Sequence, residues 1–319
     1  MNLPVFWIVI FVISLYILIR ASAYFTNAAA KIGLAFGIPD FVVGLTIVAI
    51  GTSLPELISS IFAVLHNSSE IVIGNVVGSN ITNIFLIVGV TAITAKKLKI
   101  TYELIHVDLP LLMGTALFLT ITVWDGRFSL FEALLCLIGL VVYFLHAITS
   151  GKNGDWAKNR GMTHKPVKKI KVGVKTFIVL IISSFFIYLG GRYTVEAVIE
   201  LSQIINIGKE IIAASAVAFG TSLPELVVSI TAARQGKPEI AIGNVLGSNV
   251  FNALAVMGIP TLIGSLIIPQ HIITFALPMM VIASLLFFFM TQDKEISQWE
   301  GWLLLIFYVF YIGGVFKIK

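Results

Sequence analysis

The sequence predicts an all-α membrane protein, with ten transmembrane helices arranged as two inverted five-helix repeats and broken helices at mid-membrane. Three observations lead there. Hydrophobic residues make up 58% of the 319 and charged ones 12%, against roughly 25% charged in a soluble domain, and the mean hydropathy is +1.01. The apolar residues gather into ten runs near the ~20 residues that cross a bilayer. One polar motif occurs twice, and a shift of 169 superimposes its copies without a gap.

The runs are 3–19, 41–65, 71–95, 104–123, 128–148, 174–191, 211–233, 240–266, 272–291 and 299–316. The first carries only Ser14 and Tyr16 as polar side chains, so it offers no ligands and is expected to slide against its neighbours. No basic residue precedes Arg20, which argues against a cleaved signal peptide. Residues 21–40, with Asn27, Lys31, Gly33, Gly37 and Pro39, read equally as an interfacial amphipathic helix or a plain connector.

The second run holds the motif Ala49-Ile-Gly-Thr-Ser-Leu-Pro-Glu-Leu57. Pro55 has no N–H to give and crowds the carbonyl four residues back, so a break or kink is expected near Gly51. Carbonyls freed around Ala49 need partners that lipid cannot supply. Thr52 and Ser53 precede Glu56 by four and three residues and Ser60 follows by four, which puts them on one helical face. A carboxylate inside a membrane helix costs roughly 2.5–3.5 kcal/mol on insertion scales and marks a functional site.

The third run continues Gly74-Asn-Val-Val-Gly-Ser-Asn-Ile-Thr-Asn83. Asn75, Ser79 and Asn83 form a polar stripe at spacing four, while Gly74 and Gly78 allow close helix approach. Runs four and five are ordinary apart from Asp108, read as a boundary charge, and the turn around Trp124 to Gly126. The stretch 150–172 is basic and rich in Gly, Asn and Pro, a linker between halves.

The second half repeats the plan with Ala218-Phe-Gly-Thr-Ser-Leu-Pro-Glu-Leu226 and Gly243-Asn-Val-Leu-Gly-Ser-Asn-Val-Phe-Asn252. Of the 35 positions from Ala49 to Asn83, 21 are identical in the second copy. The division is 1–149 for the first repeat, with its motif segment at 44–90, 150–172 for the linker, and 173–319 for the second repeat, with its segment at 213–259. Five crossings per half turn the second copy upside down, an architecture that places ion sites where the repeats meet.

Charge sets the expected topology. With both termini outside, 16 of the 21 basic residues fall in inner loops, Arg20 among them, and the central loop is cytoplasmic, as positive-inside bias requires. The formal net charge of +5 therefore reports orientation and implies no nucleic-acid partner. Cys136 is alone and reads as a packed thiol. His66, His106, His146, His164 and His271 lie near run ends or in loops, without metal-site spacing. The Gly-Asn-Val-Val-Gly-Ser stretch follows no strand and is not a phosphate loop. Asn67, Ser68 and Ser69 spell a glycosylation triplet with nothing to support it. With no nucleophile, base or His-rich constellation at membrane depth, the chain is not expected to be an enzyme or to need a cofactor.

Two buried carboxylates, Glu56 and Glu225, with the neutral oxygens of Thr52, Ser53, Thr221, Ser222, Asn83 and Asn252 and the carbonyls near Ala49 and Ala218, suit Ca²⁺, which takes six to eight oxygens. One Ca²⁺, two Na⁺ or two H⁺ would each offset the two acids, which is what an exchanger requires.

The doubled Gly-Thr-Ser-Leu-Pro-Glu and Gly-Asn-x-x-Gly-Ser-Asn motifs in ten runs resemble the cation/Ca²⁺ exchanger superfamily, in particular its prokaryotic Na⁺/Ca²⁺ exchanger-like members, over essentially the whole chain. That resemblance implies a multi-pass protein of a prokaryotic cell membrane whose partners are Ca²⁺, Na⁺ and the lipid bilayer, with no obligate protein partner. It implies calcium-binding acids at Glu56 and Glu225. It places sodium-binding hydroxyls at Thr52, Ser53, Ser79, Thr221, Ser222 and Ser248, and carbonyl ligands at Ala49 and Ala218. Runs one and six would slide to alternate access. Family members often carry an aspartate where this chain has Asn252, the counterpart of Asn83. The implied activity is Ca²⁺ exchange against Na⁺. A Ca²⁺/H⁺ antiporter of the same fold is the alternative, and a cation channel, which needs serial weak sites along a pore, fits less well.

Overall fold

The computed structural model describes residues 3–36, 38–65, 69–100, 108–152, 173–204, 220 and 222–317. Thr221, Ala218, His66, His106, His164, Asn67, Ser68 and most of the basic linker lie outside the described residues.

Ten helices are present among the described residues: α1 (Leu3–Phe36), α2 (Asp40–Leu65), α3 (Glu70–Ala95), α4 (Asp108–Thr122), α5 (Leu130–Lys152), α6 (Val174–Ile204), α7 (Leu223–Arg234), α8 (Pro238–Thr261), α9 (Ile272–Met290) and α10 (Gln298–Lys317). Eight are long and apolar enough to cross a membrane; α4 is a shorter apolar helix, and α7 is described from Leu223 onward. Four short strands join them: β1 (Lys97–Lys99), β2 (Arg127–Phe128), β3 (Leu266–Ile267) and β4 (Glu295–Ser297).

The first helix corrects the expectation of a 17-residue span followed by a separate interfacial piece. Residues 3–36 form one helix of 34 residues, about 51 Å at 1.5 Å per residue and longer than a ~30 Å hydrocarbon layer. No proline interrupts it after Pro4, and Ala21, Ala23 and Ala28 to Ala30 are strong helix formers. Arg20 is therefore inside the helix, not in a loop. Helix α6, with 31 residues, extends past its expected end in the same way.

The repeat is visible in the strand pairing. Lys97 pairs with Ser297 and Leu98 with Ile296 in one antiparallel ribbon, and Phe128 pairs with Leu266 and Arg127 with Ile267 in the other. Moving each strand by 169 turns the first register into the second. The halves are thus related by an approximate two-fold axis. One ribbon follows the third and ninth crossings and the other the fourth and eighth, so they cap opposite ends of the bundle, and the axis runs in the membrane plane.

Helices α3 and α8 form the centre, 83% and 100% buried along their spans, against 22% for α1 and for α6. One apolar core surrounds α3, α8 and α9 and includes Phe85, Phe128, Leu254 and Phe287. A second cluster ties α1 and α6 to the rest through Leu18, Phe25, Val43, Ile187, Val228 and Ile240. Helix α8 lies backbone against backbone on α2: a Cβ at Gly243 would fall on the Phe41 carbonyl oxygen, and one at Gly247 on that of Leu45. In the second copy these glycines are packing residues that fix the distance between α8 and α2, whereas a Cβ at Gly74, the first-copy counterpart of Gly243, would meet nothing within 4 Å.

Candidate ion-binding site

The residues singled out in the sequence lie where the two halves meet. Ala49, Thr52, Ser53, Glu56, Ser79 and Asn83 from the first copy are buried, as are Ser222, Glu225, Ser248 and Asn252 from the second. Glu56 is 1% exposed and Glu225 0%, so neither carboxylate faces lipid. The remaining two candidates, Thr221 and Ala218, lie outside the described residues.

Local geometry differs between the copies. In α2 the helix runs on through Pro55, and the irregularity expected near Gly51 lies earlier, as a wide π turn over Gly44–Val48. In α7 the helix begins at Leu223 with Pro224 in its first turn, preceded by a non-helical Ser222 at φ −86° and ψ 2°. A proline in the first turn sacrifices no hydrogen bond. Matched π turns also begin at Asn83 in α3 and at Asn252 in α8. Such turns are frequent at functional sites, and nothing in the local sequence announces them.

Hydrogen bonds cross between the halves. The Ser53 hydroxyl, on the Glu56 face of α2, donates to Glu225 Oε1 at 3.0 Å. Thr52 Oγ1 lies 3.1 Å from Asn244 Oδ1, and Asn244 Nδ2 donates to Ser229 Oγ at 3.0 Å. The first copy repeats that last bond, with Asn75 Nδ2 donating to Ser60 Oγ at 3.3 Å. Asn83 Nδ2 donates to Asn249 Oδ1 at 3.0 Å, and Asn80 Nδ2 to the Asn249 carbonyl at 3.2 Å. Asn244 and Asn249 escaped the reading of single residues, although both stand in the repeated Gly-Asn-x-x-Gly-Ser-Asn motif. Their signal was the duplication itself.

Several buried oxygens have no hydrogen-bond partner among the described residues: Ser79 Oγ, Asn83 Oδ1, Ser222 Oγ, Glu225 Oε2, Ser248 Oγ and Asn252 Oδ1. An unsatisfied buried polar group costs about 1–3 kcal/mol, so a cluster of such acceptors favours a cation. Among the described residues no group of three or more His, Cys, Asp and Glu side chains is gathered as a metal site. The acids buried at this place are Glu56 and Glu225, and the groups around them are neutral oxygens, the kind of hard donor that suits Na⁺ and Ca²⁺.

The lipid-facing helices cover this site closely. A Cβ at Gly51, next to Thr52, would stand 2.7 Å from the Phe25 ring of α1, and one at Gly191 of α6 would stand 3.3 Å from Pro224. Removing Asn244, which joins Thr52 to Ser229, takes the amide donor from Ser229 and turns the Thr52 hydroxyl back to the carbonyls of Val48 and Ala49 in its own helix. Asn244→Ala is expected to lower the Ca²⁺ affinity of purified protein about tenfold, equivalent to ~1.4 kcal/mol, as read by ⁴⁵Ca²⁺ equilibrium binding. Unchanged affinity would show that the network does not shape the site.

Comparison with known proteins agrees with this geometry. Residues 6–149 and 175–317 match the family described as sodium/calcium exchanger protein. The sodium/calcium exchanger MaX1 of Methanosarcina acetivorans is 33% identical, covering 97% of this chain and 98% of the relative. A membrane protein of Methanocaldococcus jannaschii, MJ0091, is 30% identical over 96% of both chains. A structure of the sodium-calcium exchanger NCX_Mj soaked with Na⁺ and Sr²⁺ superimposes with a TM-score of 0.82 at 27% identity, over 97% of this chain and 99% of the other. A further NCX_Mj structure, soaked with Na⁺ and Ca²⁺, gives a TM-score of 0.81. With the doubled motif buried where its halves meet and a family match along nearly its whole length, the chain belongs to the sodium/calcium exchanger family.

Proposed function

We propose that this protein is a secondary antiporter that exchanges Ca²⁺ for Na⁺ by alternating access. The observation that carries the proposal is the buried Ser53 to Glu225 bond between opposed motif copies, set among acceptor oxygens that no donor among the described residues satisfies. Family membership and the exchanger relatives support the same reading.

In this mechanism Glu56 and Glu225 supply the two negative charges that offset one Ca²⁺. Two Na⁺ offset the same charge when held by Thr52, Ser53, Ser79, Thr221, Ser222 and Ser248, with Asn83, Asn252 and the carbonyls of Ala49 and Ala218 completing the shells. The unloaded pair of carboxylates repel in a water-poor site, so the protein reorients only when loaded. Ser53 lends Glu225 a hydrogen bond that an arriving cation displaces. Helices α1 and α6, joined to the core through few buried side chains, move together across it. Repeats at 1–149 and 173–319, joined by a cytoplasmic linker at 150–172, with both termini outside, complete the arrangement.

Asn252 sets the charge to be balanced and not the identity of the coupling ion. With an amide at both Asn83 and Asn252, the site holds two carboxylates, and charge balance admits two Na⁺ or two H⁺ per Ca²⁺. ⁴⁵Ca²⁺ uptake by proteoliposomes under an outward Na⁺ gradient, and then under a pH gradient alone, separates the two. Uptake driven by the Na⁺ gradient is expected; uptake driven only by the pH gradient would replace Na⁺ with H⁺. Asn252→Asp adds a third acid and is expected to make exchange fall as pH drops toward the carboxylate range, while the wild type changes less. Superimposable pH profiles would remove this position from the coupling site.

A further inference from the structure

Two grooves flank the crossing of α1 and α6 on the outer surface of the bundle, and they differ in one respect. The smaller, about 290 Å³, is lined by Ile10, Ile13, Ser14, Ile17, Leu189, Gly190 and Tyr193, with no charged side chain. The larger, about 410 Å³, is walled by Tyr16, Arg20 and Tyr24 of α1 and by Ile182, Ser183 and Phe186 of α6. Tyr16, Arg20 and Tyr24 recur every four residues and so share one face of α1. That face is open, with Tyr16 65% and Tyr24 54% exposed.

Arg20 is out of place on such a surface. It lies 17 residues beyond Leu3, about 25 Å along the helix at 1.5 Å per residue. That sets it toward one face of a ~30 Å hydrocarbon layer. A guanidinium there needs an anion or a route to the interface. Helix α1 contains no acidic residue, and neither does the stretch of α6 that lines the groove. Among the described residues its recorded contacts are both with Tyr24, a 3.2 Å hydrogen bond from Nη2 to the phenol and a ring stack at 5.4 Å. Both contacts leave most of its five N–H donors unused. Tyrosines on either side are the residues that settle at headgroup level.

We infer that this groove binds one anionic phospholipid, its phosphate on the Arg20 guanidinium and an acyl chain between α1 and α6. Planar, bidentate recognition of phosphate is what a guanidinium does best. The apolar walls take the chain, and Tyr24 holds the guanidinium toward the headgroup. The second groove, without a charge, accepts a chain but has no preference among headgroups. The lipid touches both helices of the outer pair, so it travels with that pair as a unit. The inference is independent of which ions the protein carries.

Native mass spectrometry of the detergent-purified protein, titrated with an equimolar mixture of phosphatidylglycerol and phosphatidylcholine, tests it. The wild type is expected to hold one phosphatidylglycerol with about fivefold preference, the discrimination one basic side chain gives at an anionic membrane surface. Arg20→Gln should lose that preference, Arg20→Lys should keep part of it, and Arg192→Gln, which alters the arginine over the ring of Tyr193 at the smaller groove, should keep all of it. Inorganic phosphate at the same concentration should not displace the lipid. Because Arg20 is exposed, these variants should share the wild-type melting temperature, which is measured alongside. Equal preference in wild type and Arg20→Gln, an equal loss in Arg192→Gln, or displacement by inorganic phosphate would overturn the inference.

Discussion

Proteoliposomes carrying Glu225→Gln are expected to show no Na⁺-driven ⁴⁵Ca²⁺ uptake, and Glu56→Gln the same. Glutamine keeps the size and one acceptor oxygen of glutamate but removes the charge. Glu225 is wholly buried and touches Ser53 of the opposite repeat, so no solvent replaces what is lost. Removing one member of a buried, paired set of charges costs about 3–5 kcal/mol. At ~1.4 kcal/mol per tenfold, that weakens Ca²⁺ binding by a factor from over a hundred to several thousand. The neutral variants should nevertheless fold, because an amide of the same shape costs less to bury than a carboxylate. Uptake above a tenth of the wild-type rate in either variant would contradict the role assigned to the two acids.

The second large effect concerns the scaffold. Gly247→Val should yield little or no monodisperse protein, because its Cβ would fall on the Leu45 carbonyl oxygen and within 2.6 Å of Ala49 Cβ. Backbone cannot give way as a side chain does. Overpacking a tight core typically costs about 1–3 kcal/mol and sometimes more, and here two branches are added between the central helices. Size-exclusion profiles and melting temperature in detergent check this. Gly314, whose added Cβ would meet only the end of the Phe275 ring, is the matched control, since a ring can turn aside. A Gly247→Val protein as stable as the wild type would show that α2 and α8 can separate without penalty.

Much of this organisation is legible in the sequence, for physical reasons that can be traced residue by residue. Glu56 and Glu225 announce themselves because carboxylates in apolar runs are expensive, and their shared shift of 169 predicts the two-fold relation that the strand registers display. Helix ends where a proline or a polar cluster stands, as at Asp40, Glu70 and Pro238, are readable to within a few residues. Other features leave no local trace. The extension of α1 past Arg20 depends on alanines that suit a helix in lipid or in water alike. The π turns beginning at Asn83 and Asn252 arise from packing between halves. The ribbons of β1 with β4 and β2 with β3 join segments 138 or more residues apart through two or three residues each, too short for any periodicity. Asn244 and Asn249 matter for what lies opposite them, and only the fold supplies that neighbour.

The account rests on two acids from opposed repeats sharing one divalent ion. Crystals of the protein soaked with Sr²⁺ and measured at the strontium absorption edge test this directly. The prediction is one strong anomalous peak at the motif interface, within about 2.3–2.6 Å of carboxylate oxygens of both Glu56 and Glu225, as for a calcium site. A peak held by only one of the two glutamates, or a strontium ion bound elsewhere in the membrane-embedded core, would contradict it.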